Sequence, residues 1–408
     1  MEQVDSNQSV STIKALIYVS LFSTYWLPSF TIVKNWPAFE LSDFAFAPLV
    51  FFLFFFHRSK WLDFYRQNKR LTLKFFVFLI VVVASVVLNG RYSSFRDWFE
   101  PVKYLKFLVF LVAIGCFLKY NELKKLMYIL LVGVLVFNLL HYFNVLGFNS
   151  IIEPYYTAPH HLDFFGLNSI GEPATKRAIG TMGNPNNNAF MFLGFIVFFL
   201  PRSRTRMTIM DFISISIAIT GMFMCQSRTA FVAYAIMLLA YFIYAKPHRN
   251  WVVYILIFSV TVYAILHFFG NSYLGSLGDF TLVQKAGIGR MEQWQRIIES
   301  MPDFWIFGHG PDKEYFEMNE IYAESEYFLI LFRYGVVGLF SFILIHFSFY
   351  LGYWNNKTLF RSYFLPLFII YSLTAITNTP FHSAKLLIVL SLLMASGIIY
   401  YNDEKKTI

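Results

Sequence analysis

The sequence predicts an all-α integral membrane protein of about twelve membrane-spanning helices, and three observations carry that prediction. The 408 residues are 57% hydrophobic and 21% aromatic but only 14% charged, with 50 Phe and 26 Tyr. A soluble domain carries about 25% charged residues. So few charges could not cover the apolar surface of a soluble fold this long. The apolar residues also fall in long runs, most of them near the ~20 residues that cross a bilayer. Finally, the connections between runs alternate in basic character, which is how a multi-span chain is oriented. The net charge of +9 is therefore read as an orientation signal, and no nucleic-acid partner is expected.

The runs, in order, are 12–33, 42–57, 71–89, 104–118, 126–147, 186–200, 209–225, 229–245, 251–270, 326–351, 362–378 and 384–401. Met1 to Ser11 is polar and the first run is long enough to stay as a span, so no cleavable signal peptide is expected. The second and sixth runs are short. The seventh and eighth are separated only by Gln226, Ser227 and Arg228. With the N-terminus in the cytoplasm, the inner connections hold 19 of the 33 basic residues and 7 of the 24 acidic ones. Among the basic residues are Lys14, the cluster from Arg58 to Lys74, Lys124 and Arg202. Both termini are then cytoplasmic. The chain reads as one multi-span domain, 1–408, with two long periplasmic loops at 148–185 and 271–325. No repeat of the first six runs is visible in the last six, which weakens a repeat-built transporter.

The second outer loop has a helical core. Arg290, Met291, Trp294, Ile297, Ile298 and Met301 share one face of an amphipathic helix. Pro302 is placed to end it, and Gly308-His309-Gly310-Pro311 reads as a turn. Arg296 lies about 240° round from Arg290 and points elsewhere.

Chemistry is expected at the outer boundary, because the span centres are almost free of charge and mid-membrane ionisable residues mark function. His141, His346 and Asp211 lie toward span ends. The outer boundary collects Arg91, Arg96, Arg177, Arg228, Arg290, Arg296 and Arg333. A guanidinium keeps its charge and forks onto phosphate oxygens, so several together can hold a pyrophosphate. Pairing with the outer acids Glu292, Asp303, Asp312 and Glu324 is the bland alternative. Arg177 precedes Gly180, Gly183 and Pro185, with the amides of Asn184, Asn186, Asn187 and Asn188 before a span; this suits helix capping or a sugar or anion site. Arg228 occupies a three-residue connection that does not itself require arginine, although a snorkelling anchor would also use one. Glu324 and Glu326 are two apart, so on a helix one faces the cavity and one the solvent. A carboxylate there can serve as a base or simply sit well at a helix N-terminus. Trp294 and Tyr327 can stack on sugar rings or belong to the interfacial aromatic belt. Cys116 and Cys225 read as buried free thiols. His160, His161 and Asp163 make a weak metal candidate; no metal and no cofactor are expected.

These pieces occur in a recognisable order. The Arg177…Gly183-Asn184-Pro185-Asn186 segment is followed by the Ser227-Arg228 turn, then Gly289-Arg290 to Trp294 and Gly308-His309-Gly310. Glu324-Ser-Glu-Tyr327-Phe328 and Arg333-Tyr-Gly335-Val-Val-Gly338 complete the run. Over residues 177–338 the chain resembles the O-antigen polymerase and O-antigen ligase superfamily of bacterial membrane glycosyltransferases. The resemblance implies a GT-C-like inverting glycosyltransferase of the inner membrane with a periplasmic lid. Its substrate would be an oligosaccharide linked to undecaprenyl pyrophosphate, used without nucleotide sugar or metal, with a chain-length regulator as a possible partner. Arg177, Arg228 and Arg290 would bind the donor pyrophosphate. Arg228, Arg290 and Glu324 would serve catalysis, and Asn184, Asn186, Trp294 and Tyr327 would contact sugar. The ligases typically have a His where this chain has Glu324, and this departure favours a polymerase. A ligase acting on lipid A-core is the alternative within the superfamily. A polysaccharide flippase or other transporter is the alternative outside it.

Overall fold

The computed structural model describes residues 2–27, 29, 39–91, 94–151, 177–202, 207–245, 255, 256, 258–260, 263, 280–301, 303–318, 323–354 and 356–407. The described residues form helices and connections. In chain order these are α1 (Glu2–Trp26), α2 (Leu41–Phe51), α3 (Arg58–Gln67), α4 (Lys69–Leu88), α5 (Phe95–Phe117) and α6 (Tyr120–Phe143). They continue with α7 (Pro185–Phe199), α8 (Ile209–Met224), α9 (Arg228–Ala245), α10 (Phe280–Glu299), α11 (Lys313–Met318), α12 (Glu326–Leu351), α13 (Leu365–Thr377) and α14 (Ala384–Thr407). Among the described residues, six helical segments are long and apolar enough to cross a membrane: Lys69–Leu88, Tyr120–Phe143, Arg228–Ala245, Glu326–Ser348, Lys357–Thr377 and Ala384–Asp403. A seventh arises if α2, its π-helical extension Phe52–Phe56 and α3 count as one broken span bent by 91°. Helices α1, α5, α7 and α8 also cover residues 12–26 of the first run and nearly all of the runs 104–118, 186–200 and 209–225. The run 251–270 lies mostly outside the described residues; within it, Ser259 Oγ meets Tyr234 OH of α9 at 2.7 Å. Residues 152–176, including His160, His161 and Asp163, also lie outside them, as does Pro302.

Two helices near the chain's middle start at side chains that satisfy their first N–H groups. Asn184 accepts from the N–H groups of Asn186 and Asn187 (2.8 and 3.3 Å), with Pro185 at the first helical position of α7. Thr208 accepts from Asp211 N (3.1 Å) at the start of α8. The helices pack as α5 against α14, α7 against α8, α9 against α13 and α4 against α12. Buried aromatic rings fill the space between, among them Phe78, Phe110, Phe192, Phe195, Tyr363 and Tyr371.

The two ends of the bundle differ chemically. At one end Lys14 pairs with Glu122 (2.8 Å) and Lys124 with Asp211 (2.8 Å), while the Arg202 guanidinium lies over the rings of Tyr120, Tyr363 and Tyr400. At the other end meet the last turns of α4, α8 and α13 and the first turns of α5, α7, α9, α12 and α14. Lys14, Lys124 and Arg202 thus lie at the first end, and Arg177, Arg228, Arg290 and Arg333 at the second. Two differences from the sequence reading concern charge. Helix α5 begins at Phe95, well before residue 104, because Asp97 and Glu100 are buried in its first turns. Lys106 is buried near its middle, donating to Asp43 Oδ1 (2.6 Å) and Ser42 Oγ (2.7 Å) with Glu40 at 3.7 Å, so the span interiors are less free of charge than the sequence suggested.

Helix α12 is broken at Gly335 (φ 64°, ψ −167°). Segment 303–312, read from sequence as a turn at Gly308–Pro311, is instead laid into that break. Its carbonyls at Trp305 and Ile306 accept from Val336 N (2.8 Å) and Val337 N (3.3 Å), and its N–H groups at His309 and Gly310 donate to Phe332 O (2.8 Å) and Arg333 O (2.9 Å). Ser85 of α4 donates to both Phe307 O and Arg333 O (2.8 and 2.7 Å). Backbones approach so closely that a Cβ on Gly308 would lie 2.4 Å from the Arg333 carbonyl carbon, and one on Gly335 2.3 Å from Ile306 O. Both glycines also have positive φ, which a side chain disfavours. Gly308→Ala and Gly335→Ala should each lower the melting temperature of the detergent-solubilised protein by several degrees. Gly289→Ala, in an open helical position, should leave it unchanged or raise it. Equal melting curves for all three would contradict the inserted segment.

Candidate functional site

Three groups of polar side chains stand at the end of the bundle where the outer arginines gather. The first surrounds the turn between α8 and α9. Arg177 Nε donates to Cys225 O (3.1 Å) and its Nη2 to Asn186 Oδ1 (2.9 Å). Asn188 is fully buried, donating to Asn138 Oδ1 of α6 (2.7 Å) and to Ala178 O (3.1 Å). Gln226 takes a positive φ of 49°, which lets Cys225–Ser227 reverse the chain and start α9 at Arg228. The sequence-predicted Arg177, Asn184, Asn186 and Arg228 are therefore held in one neighbourhood. Asn184 and Asn186 use their Oδ1 atoms internally, so the amide N–H groups are what they can offer a ligand.

The second group joins the amphipathic helix to the start of α12. Arg290 Nε donates to Glu324 Oε2 at 2.5 Å, with both side chains partly exposed. Trp294 stacks on Phe328, with ring centroids 4.8 Å apart and planes 10° from parallel. Its Nε1–H has no acceptor among the described residues. Ile297 and Met301 are fully buried against Phe332, while Arg296 is exposed. The face expected from periodicity is thus the buried one, although Met291 and Ile298 lie at its exposed margins. Of the two neighbouring carboxylates, Glu324 is exposed and Glu326 is fully buried. Tyr327 turns toward the bundle, its hydroxyl donating to Ser372 O (3.4 Å).

The third group was not anticipated. Glu100, on α5, accepts from Lys103 (2.6 Å), with Lys313 at 3.0 Å, Arg333 at 3.5 Å and His382 Nδ1 at 3.8 Å. Burial pushes the Glu100 carboxyl up, but Lys103, Lys313 and Arg333 outweigh it and hold it well below the ordinary carboxylate range. Glu326 Oε2 accepts from the N–H groups of Phe381 (2.9 Å) and His382 (3.2 Å), fixing the turn between α13 and α14. The sequence signals were faint: an acid and a lysine three apart around Pro101, and a lone His in the short polar connection Asn378–Ser383.

That connection links the three groups. Thr377 at its start bonds Thr229, beside Arg228 (2.6 Å). Asn378 O accepts from Glu326 N (3.1 Å), two residues from Glu324. Lys385, just beyond it, donates to Thr181 O (2.9 Å) in the segment that follows Arg177. The arrangement can bind an anion through guanidinium groups and holds a carboxylate, Glu324, on the exposed side. Among the described residues no group of three or more His, Cys, Asp or Glu is placed to hold a metal ion.

Removing the Glu100 charge tests the hub. Glu100→Gln leaves three cations facing one another, and breaking a buried ion pair costs about 3–5 kcal/mol. A carboxylate whose folded pKa is depressed stabilises above its unfolded pKa of roughly 4.3 and loses that contribution as pH falls through the folded value. The melting-temperature gap between wild type and Glu100→Gln should be full at pH 7 and shrink below about pH 4. A gap independent of pH would show that the carboxylate charge is not what holds the hub.

Residues 212–343, from α8 to α12, match a family model described as O-Antigen ligase. No curated protein matches the chain. The matched stretch contains Arg228, Arg290, Trp294, Glu324 and the Gly335 break, and over these residues, about a third of its length, the chain is similar to that family.

Proposed function

We infer that the chain is a polymerase that joins undecaprenyl-pyrophosphate-linked oligosaccharide repeat units into O-antigen or a related surface polysaccharide. The observation that carries this reading is the placement of Arg177, Arg228, Arg290 and Glu324 at one end of an apolar helical bundle, in a chain whose residues 212–343 are similar to the O-antigen ligase family. Twelve spans, a GT-C-like architecture, cytoplasmic termini and a periplasmic site in the inner membrane belong to the same reading. A chain-length regulator is its expected partner. Glu324 in place of the ligases' His favours the polymerase over the ligase.

The chemistry follows from the groups present. An acceptor hydroxyl oxygen attacks the anomeric carbon of the donor from the side opposite the pyrophosphate. The new C–O bond forms as the bond to the pyrophosphate oxygen breaks, inverting the centre. The hydroxyl proton passes to the Glu324 carboxylate. The lipid pyrophosphate leaves with its charge held by Arg177, Arg228 and Arg290, which supply the electrostatic stabilisation without a metal. In the unliganded arrangement Arg290 is bonded to Glu324. A bound pyrophosphate competes for Arg290 and so frees the carboxylate beside the reacting carbon. Asn184, Asn186, Trp294 and Tyr327 are the sugar-contacting candidates. The two asparagines offer amide N–H groups, and Trp294 would have to expose its buried indole N–H or ring on binding.

The deciding experiment supplies purified protein with lipid-linked repeat units extracted from its native membrane, in excess EDTA, and resolves the product by gel and mass spectrometry. A ladder spaced by one repeat is expected. Transfer only after lipid A-core is added would make the protein a ligase, and silence in both assays would favour a transporter. Arg228→Ala and Arg290→Ala should each lower the rate about 100-fold or more while inserting normally. Glu324→Gln should lower it by a similar factor without changing the melting temperature. Glu326→Gln should instead act through stability, because its buried carboxylate holds the turn after α13. Arg296→Ala should be tolerated. Wild-type ladders from both Arg228→Ala and Arg290→Ala would overturn the pyrophosphate site.

A further inference from the structure

His382 stands where the three groups meet, and neither the sequence reading nor the family match gives it a role. Its Nδ1 lies 3.2 Å from Lys103 Nζ and 3.0 Å from Arg333 Nη1. An ammonium and a guanidinium can only donate. The ring nitrogen between them must therefore accept, so it carries no proton. A neutral imidazole with a bare Nδ1 has its proton on Nε2. The backbone of the residue is fixed as well. Its N–H donates to Glu326 Oε2 and its carbonyl accepts from Lys103 Nζ at 2.9 Å. Ring position and tautomer are thus both set by charged groups, an arrangement that preorganises a donor.

The side chain is 36% exposed, and among the described residues nothing accepts from Nε2. Around it stand three cations, Lys103, Lys313 and Arg333, and two carboxylates, Glu100 and Glu326. The local balance is positive and favours an anionic acceptor. The connection carrying the ring also touches the neighbours of Arg228 and Glu324.

We propose that His382 is a substrate-contacting residue, whose Nε2–H donates to an anionic oxygen of the lipid-linked pyrophosphate. This rests on the polymerase reading above, since that reading supplies the pyrophosphate. The ring does not serve as a base. Nδ1 is occupied by two cationic donors and Nε2 already bears its proton. Partial burial, then Lys103 and Arg333, hold the ring well below its ordinary pKa against the pull of Glu100.

Two substitutions separate the two ring nitrogens. His382→Asn places an amide oxygen near Nδ1, keeping an acceptor for Lys103 and Arg333, but it lacks the distal donor. His382→Gln can place an amide N–H near Nε2. The probe is undecaprenyl pyrophosphate without sugar, its affinity measured on the full-length protein in nanodiscs beside melting temperature. Wild type and His382→Gln should bind within about threefold of each other. His382→Asn should bind about tenfold or more weakly while melting within a degree or two of wild type. Asn binding as tightly as wild type would overturn the proposal. So would equal losses of binding in both variants accompanied by equal falls in melting temperature, which would mark a structural residue. Arg290→Ala serves as the reference. If wild type does not bind the probe, or Arg290→Ala binds it as well as wild type, the pyrophosphate site itself fails. If Arg290→Ala weakens binding and His382→Asn does not, only the role of His382 fails.

Discussion

A chain in lipid cannot leave a backbone N–H or C=O unpaired, because no water is present to take its place. At Gly335 the helix α12 breaks that rule locally, and the groups it exposes must find partners within the protein. They find them in segment 303–312, which supplies both carbonyls and N–H groups. Much of the outer end follows from this one repair. The glycines at 308 and 335 are required because two backbones meet without room for a Cβ. The segment is seated against α4 through Ser85, and Asp312 is brought to Arg91. Lys313 is carried next to Glu100. Helix α10, which precedes the segment, is thereby anchored at its C-terminal end over the start of α12, where Arg290 reaches Glu324.

Buried charge imposes the second constraint. An unpaired ion in a low-dielectric interior is unaffordable, so each must be surrounded by opposite charge or donors. Glu100 gathers Lys103, Lys313, Arg333 and His382 from four separate elements, and Glu326 is satisfied by two backbone N–H groups. Such a network is poor evidence for extra stability but good evidence for uniqueness. Shifting α5, α12 or the 378–383 connection by one turn would strand at least one charge. The site needs this property, because charge-stabilising groups work only when they are already in place.

The membrane class and most helices were legible because hydrophobic runs and basic connections are properties of short stretches of chain. The phase of α10 was legible for the same reason: Ile297 and Met301 are inside, Arg296 is outside and Arg290 is at the edge. What could not be read depends on partners distant in sequence. Lys103 and His382 are 279 positions apart, and neither signals the other. The break at Gly335 is hidden in a run that reads as uninterrupted span, because the segment that fills it lies elsewhere. The choice between Glu324 and Glu326 is set by the Asn378 carbonyl and the turn after α13, which receive the first turn of α12. No local pattern at 324–327 contains that information.

The contrast between these two carboxylates also explains how one end of the bundle can be both rigid and responsive. Glu326 and Glu100 are held by several partners in the interior, where removing any one is costly. Among the described residues Glu324 pairs with Arg290, and both side chains touch solvent. Exposed pairs of this kind are worth about 0–1 kcal/mol. A multiply charged phosphate offers a guanidinium more, through shorter and bidentate contacts. Under the proposed function, exchanging Glu324 for phosphate at Arg290 would leave the hub beneath it undisturbed. In that proposal donor binding releases the carboxylate where a proton must be taken, while the turn carrying His382 and the broken helix stay fixed.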